Sequence, residues 1–112
     1  MPAEKQPVDI LQGTLNMMIL QVLLPGAANG YEIAKLIERR SDELLQVEHG
    51  SLYPALRRLE ARGLIKAGSR ISPTNRRARY YTLTVTGKKQ VVVEHSRWRA
   101  LVQAITRVMK PA

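Results

Sequence analysis

Gly50-Ser51-Leu52-Tyr53-Pro54-Ala55-Leu56-Arg57-Arg58-Leu59-Glu60-Ala61-Arg62-Gly63 reads as a short helix with a glycine at each end. At about 100° of rotation per residue, Leu52, Ala55, Leu56 and Leu59 fall on one face. Pro54, Arg57, Arg58 and Ala61 point the other way, with Ser51 and Tyr53 beside them. Small and basic residues in the middle of an exposed face leave room for close approach to a polyanion. Pro54 is expected near the helix start, where a missing N–H costs nothing. Alone, the pattern is equally that of a solvated face carrying two arginines. The flanking sequence decides between the two.

Upstream, Ile10, Leu11 and the run Gly13–Leu24 read as a mostly buried helix stopped by Pro25-Gly26. Asn29 is the expected N-cap of a second helix over Gly30–Arg40, with Ile33, Ala34, Leu36 and Ile37 as its apolar stripe. Ser41–His49 is a connector in which Leu45 and Val47 alternate with Gln46 and Glu48, a pattern compatible with a short strand. Downstream, Leu64–Ile71 and Ala78–Val85 are β-compatible runs. Tyr81, Leu83 and Val85 would take one face of the second run. Ser72-Pro73-Thr74-Asn75-Arg76-Arg77 forms a turn-rich tip between them. Thr84 or Thr86 caps a last helix that runs to about Val108, before Lys110-Pro111.

The 112 residues amount to one domain. There is no cysteine, which removes disulfides and thiolate metal sites. The N-terminus lacks the charge pattern and apolar run of a signal peptide, and the longest apolar run is too short for a bilayer. A cytoplasmic protein is expected. The net charge of +9 is unevenly placed: residues 51–112 hold fourteen Lys or Arg against only Glu60 and Glu94, whereas residues 1–50 are acidic on balance. Such one-sided basicity repels itself, and nucleic acid is its usual counterpart. Membrane-surface binding is the competing use. It needs a basic amphipathic helix with an apolar face left free for lipid, and no membrane partner is expected.

Three helices, a two-stranded hairpin and a long helix make a mainly α fold with a small β-hairpin. The order is that of a winged helix-turn-helix followed by a C-terminal dimerisation helix. Residues 1–9 would be a flexible tail and 10–86 the DNA-binding domain, with its recognition helix over about 51–62 and its wing over about 64–85. Residues 87–109 would form the dimerisation helix. In this architecture the second helix of the pair enters the major groove of double-stranded DNA. Arg57 and Arg58 could each fork onto guanine O6 and N7, while Ser51 and Tyr53 suit phosphate oxygens, and Pro54 would be exposed beside them among the early residues of the helix. Arg76, Arg77 and Arg79 at the hairpin would lie along a minor groove or phosphate strand, and Lys66 and Arg70 on the other strand would add phosphate contacts.

Along the last helix, Val91, His95, Trp98, Val102, Ile105 and Met109 recur at spacings of four and three, a heptad seam that Leu101 and Val108 widen. A small domain leaving that stripe bare would aggregate. Pairing with a second copy as a homodimer is expected, the alternative being packing within one chain. His49 and His95 stand apart, without partners at metal-ligand spacing, so no metal site is expected. No nucleophile elbow or phosphate-cradling glycine loop occurs. Glu32, Glu38, Asp42 and Glu43 read as a solvated helix edge. Neither catalytic residues nor a cofactor is expected, and the chain does not read as an enzyme.

Three blocks resemble the PadR family of bacterial transcriptional regulators. They are Gly30-Tyr31-Glu32-Ile33, the stretch Gly50–Ile65, and Arg79-Tyr80-Tyr81-Thr82-Leu83-Thr84 with Gly87 just beyond. The resemblance covers roughly Ile10 to Met109. It implies a homodimeric winged-helix repressor binding an inverted-repeat operator, with Tyr53 and its neighbours against DNA and the first and last helices building the dimer. Asn29 stands where a His often precedes the Gly-Tyr pair, and the single C-terminal helix matches the short-tailed branch. Some relatives bind flat aromatic compounds between subunits, near an aromatic residue of the last helix. Trp98 is placed for such an effector, or else serves as a seam anchor with no ligand. Two other classes compete: a winged-helix RNA binder, which would favour exposed stacking aromatics, and a protein-interaction module whose wing meets an acidic partner.

Overall fold

The computed structural model describes residues 12–111. In chain order it contains α1 (Gln12–Val22), β1 (Ala28–Asn29), α2 (Gly30–Arg40), α3 (His49–Ala61), β2 (Ile65–Ile71), β3 (Arg77–Leu83) and α4 (Val85–Met109). The expected tail over 1–9, and Ile10 and Leu11 of the first helix, lie outside the described residues. The fold is mainly helical with a small antiparallel sheet, as expected. That sheet has three strands in the order β1-β3-β2 rather than two. Ala28 and Asn29 pair with Tyr81 and Tyr80, a two-residue strand with no sequence pattern of its own.

Asn29 serves two elements. Its backbone ends β1, and its side chain accepts from the Glu32 N–H at 2.8 Å while the Glu32 carboxylate accepts from the Asn29 N–H at 2.9 Å. This reciprocal box fixes the start of α2. The connector after α2 is not a strand. Asp42 and Glu43 take left-handed backbone (φ 52° and 62°), and Leu45 makes an isolated bridge. The Glu38 carboxylate holds the segment by accepting from the Val47 N–H at 3.0 Å.

α3 begins at His49, ahead of the glycine expected to open it, because Glu48 is already its extended N-cap. The Ser51 and Leu52 amides both donate to the Glu48 carbonyl. Pro54 therefore lies inside the helix, and its missing N–H forgoes the bond to the Gly50 carbonyl. The helix ends where Gly63 adopts φ 73°. The Leu64 amide reaches the Leu59 carbonyl and the Gly63 amide that of Glu60, both at 3.0 Å. This is the two-bond C-terminal closure that a left-handed residue permits, and buried Leu64 and Leu59 accompany it.

Leu52, Ala55, Leu56 and Leu59 of α3 are wholly buried against Ile19 of α1 and Ile33 of α2, as their shared helical face requires. Ile65 and Tyr81 carry this core under the sheet. The second strand of the hairpin is shorter than expected at its far end. Thr84 leaves the sheet to cap α4, its hydroxyl accepting from the Gly87 N–H at 2.9 Å. Val85 is consequently the first residue of α4, and it is exposed rather than on a strand face with Tyr81 and Leu83.

The end of α3, the root of the hairpin and the start of α4 meet at one point. The Thr84 amide donates to the Leu64 carbonyl, and its hydroxyl donates to the Gly63 carbonyl at 2.6 Å. A Cβ at Gly87 would collide with that same Leu64 carbonyl, so only glycine fits. The first turns of α4 lie on α1, with Val91 inside the core. Farther along, Trp98 and Leu101 still neighbour α1, yet these two and Val102, Ile105, Val108 and Met109 are exposed in the single chain.

Candidate nucleic-acid interface

α3 presents two flanks on either side of its buried stripe. On one, Tyr53, Arg57 and Glu60 line a cleft of about 550 Å3, closed across by Gly30 and Tyr31 of α2 and by Arg79 and Tyr81 of β3. On the other, Ser51, Pro54 and Arg58 turn toward Gln12 and Leu15 of α1 around a smaller hollow of about 210 Å3. Arg57 and Arg58, adjacent in sequence, thus serve different sides. Arg57 is exposed, whereas Arg58 is half-buried, with its Nε shielded and lacking a hydrogen-bond partner among the described residues.

Tyr53 is fixed by its neighbours. Its hydroxyl lies over Gly30, where a Cβ would stand 2.9 Å from it, and its ring stacks on His49 with centroids 5.8 Å apart. Tyr31, the next residue of α2, is 62% exposed at the mouth of the same cleft. The sequence reading assigned neither Tyr31 nor His49 to a site. The four-residue spacing of His49, Tyr53 and Arg57 was the signal available for His49.

Tyr81 closes the back of the cleft. Burial raises its phenol above the ordinary value of 10.0, opposed by the Arg79 charge and hydrogen bond and reinforced by Glu60. The phenol is therefore neutral at physiological pH. Arg79 itself is bound: its Nη2 donates to Glu60 Oε2 at 2.9 Å, tying the hairpin to α3. Sequence gave no reason to single out Glu60.

The hairpin's cations divide between its two faces. Strand pairing sets Ser69 opposite Arg79 and Ile71 opposite Arg77, on the face that continues from Tyr81. Arg77 Nη1 donates to the Ser69 hydroxyl at 3.4 Å on that face. Lys66, Arg70 and Tyr80 occupy the opposite face, with the Arg70 guanidinium 5.4 Å from the Tyr80 ring centroid. Lys66 and Arg70 thus do not share a face with Arg77 and Arg79. At the tip, the Asn75 amide donates to the Ser72 carbonyl at 2.9 Å and Asn75 takes φ 62°, leaving Arg76 exposed beside the turn.

In α4, Val91 belongs to the chain's own core, so it is not available to a partner; the open part of the heptad seam starts at His95. Trp98 borders a hollow of about 310 Å3 between α4 and α1, beside Thr14, Met17 and Leu101. Among the described residues, no group of three or more His, Cys, Asp or Glu side chains could hold a metal ion. No helix among them is long and apolar enough to cross a membrane.

Residues 19–92 match the transcriptional regulator PadR-like family. A transcriptional regulator from Clostridium thermocellum shares the fold with a TM-score of 0.80 and 33% identity, over 88% of this chain and 93% of that one. A PadR family transcription regulator from Clostridium difficile superposes with a TM-score of 0.73 and 30% identity, over 86% of this chain and 98% of that one. The negative transcriptional regulator PadR of Bacillus subtilis is 30% identical over 77 residues, 69% of this chain but 42% of that protein.

Proposed function

This chain belongs to the PadR-like family of transcriptional regulators, and from that premise we propose that it is a homodimeric repressor binding an inverted-repeat operator. DNA-binding regulation, rather than enzymatic chemistry, is what the family does. The observation that carries the finer reading is the cleft in which Tyr53 and Arg57 of α3 face the arginine-bearing side of the hairpin. Arg57 reads a base edge in the major groove. Ser51, Tyr53, Pro54 and Arg58 seat the helix against the backbone, and Arg76, Arg77 and Arg79 follow the neighbouring groove or strand. Lys66 and Arg70 contribute more distant backbone attraction from the outer face of the wing. The repressive sign follows the negative regulator of Bacillus subtilis.

Residues 10–86 act as the DNA-binding unit and 87–109 as the pairing helix. His95, Trp98, Leu101, Val102, Ile105 and Met109 are covered by a second copy, which sets two reading heads about 34 Å apart, one turn of DNA. A small aromatic effector entering beside Trp98 would release the operator by altering that pairing. Such a protein works in the cytoplasm, where its DNA is. Selection of bound sequences from a random duplex pool tests the proposal directly. A consensus with two-fold symmetry is the expected result; enrichment of nothing, or displacement of the duplex by structured RNA in a competition assay, would refute it.

A further inference from the structure

Arg79 is already engaged in the free protein. The bond to Glu60 joins two elements across nineteen residues of sequence, and it lies within the cleft that faces DNA in the proposed function. Glu60 is one of only two carboxylates after residue 50, and it stands three residues along α3 from Arg57. A single carboxylate thus lines the same cleft as two guanidiniums and holds one of them, on the surface where a phosphate of the DNA backbone would run. The side chains of Glu60 and Arg79 are 33% and 63% exposed. A pair this wet is held weakly and can exchange partners, and a carboxylate at that place is repelled by each phosphate that approaches.

We propose that Glu60 is a resident stand-in for a backbone phosphate: it occupies Arg79 while the protein is free, and a phosphate of bound duplex takes its place. This rests on the DNA-binding reading above and adds a role that the sequence did not suggest. Glu60 touches no DNA. It acts through Arg79, lowering the wing's attraction for any duplex and leaving sequence choice to Arg57. Displacing it leaves an uncompensated carboxylate near the DNA, which retains a cation and so offsets part of the counterion release that accompanies phosphate contact.

Glu60→Gln keeps the size and the hydrogen-bond acceptor while removing the charge. In fluorescence anisotropy titrations with a random-sequence duplex over a range of salt, this variant is expected to bind several-fold tighter. Its plot of log affinity against log salt should be steeper than the wild type's, by up to about 0.9 for one phosphate. Weaker binding, or an unchanged slope, would mean that the pair persists in the complex as a fixed strut and would overturn the inference. Arg79→Gln gives an independent reading: weaker binding with a shallower slope is expected, and an unchanged slope counts against the stand-in. Wild-type protein that binds no duplex at all would refute the DNA-binding reading itself. Wild-type binding accompanied by failure of the variants would refute only the role of Glu60.

Discussion

Three glycines show how single residues set this surface, each for a different reason. Gly30 makes room for the Tyr53 hydroxyl. Gly30→Ala would push the far end of a side chain rather than backbone, so the fold should survive while Tyr53 moves. The expected outcome is a nearly unchanged melting temperature with clearly weaker binding to duplex DNA. Gly87→Ala meets the Leu64 carbonyl instead, which cannot step aside. It should destabilise the chain by about 1–3 kcal/mol, read by chemical denaturation. Gly63 needs its positive φ to close α3. Arg57→Ala should relax base preference by about 1–3 kcal/mol at one operator position, measured on a panel of single-base operator variants. Tyr81 carries a pH prediction. Its phenol has a raised pKa in the folded state, so its contribution to stability is complete below pH 10 and is lost as pH rises through the higher folded value. Tyr81→Phe should flatten the alkaline end of a melting-temperature profile, and an unchanged alkaline decline would show that other groups cause it.

The elements were legible to different degrees, and the reasons are physical. α2 is written out in full because its cap, its stripe and its charged edge are all local: Asn29 and Glu32 are three residues apart. The buried face of α3 was equally readable from Leu52, Ala55, Leu56 and Leu59. Its start was not, because a glutamate with no side-chain cap bond opens the helix and the eye is drawn to Gly50 instead. β1 could not be read at all, since two residues become a strand only when β3 supplies their partners. The Glu60–Arg79 tie was hidden for the same reason, its two ends lying on elements whose meeting depends on the fold. The wing's split faces follow from a period of two, which was readable once the register was known. That split sorts its cations. Arg76→Ala or Arg77→Ala should each lower the salt slope by about 0.9 while weakening all sequences alike, and a loss confined to operator DNA would contradict a backbone role.

For the whole molecule, the uneven charge is mirrored in its parts. The cations after residue 50 fall on α3, the hairpin and α4, while Glu38, Asp42, Glu43 and Glu48 gather around the end of α2 and the connector. The heptad pattern of α4 was plain in sequence, but its division was not. Val91 closes the chain's own core, while the residues from His95 onward have little to cover them in one chain. If a second copy covers them, Leu101→Glu should shift the protein toward monomer in sedimentation and reduce affinity for a full operator far more than for an isolated half-site. Equal losses on both would argue that α4 folds onto its own domain instead.

The joint at Gly63, Leu64, Thr84 and Gly87 gives the long helix a mechanical meaning. A rod of 25 residues is about 37 Å long at 1.5 Å per residue, so a tilt of roughly 5° at its foot swings the free tip by about 3 Å. That foot is hydrogen-bonded to Gly63 and Leu64, the residues that close α3, so a load on the rod would be carried to α3. If a second copy grips the far end, as proposed above, it gains leverage over how α3 is held.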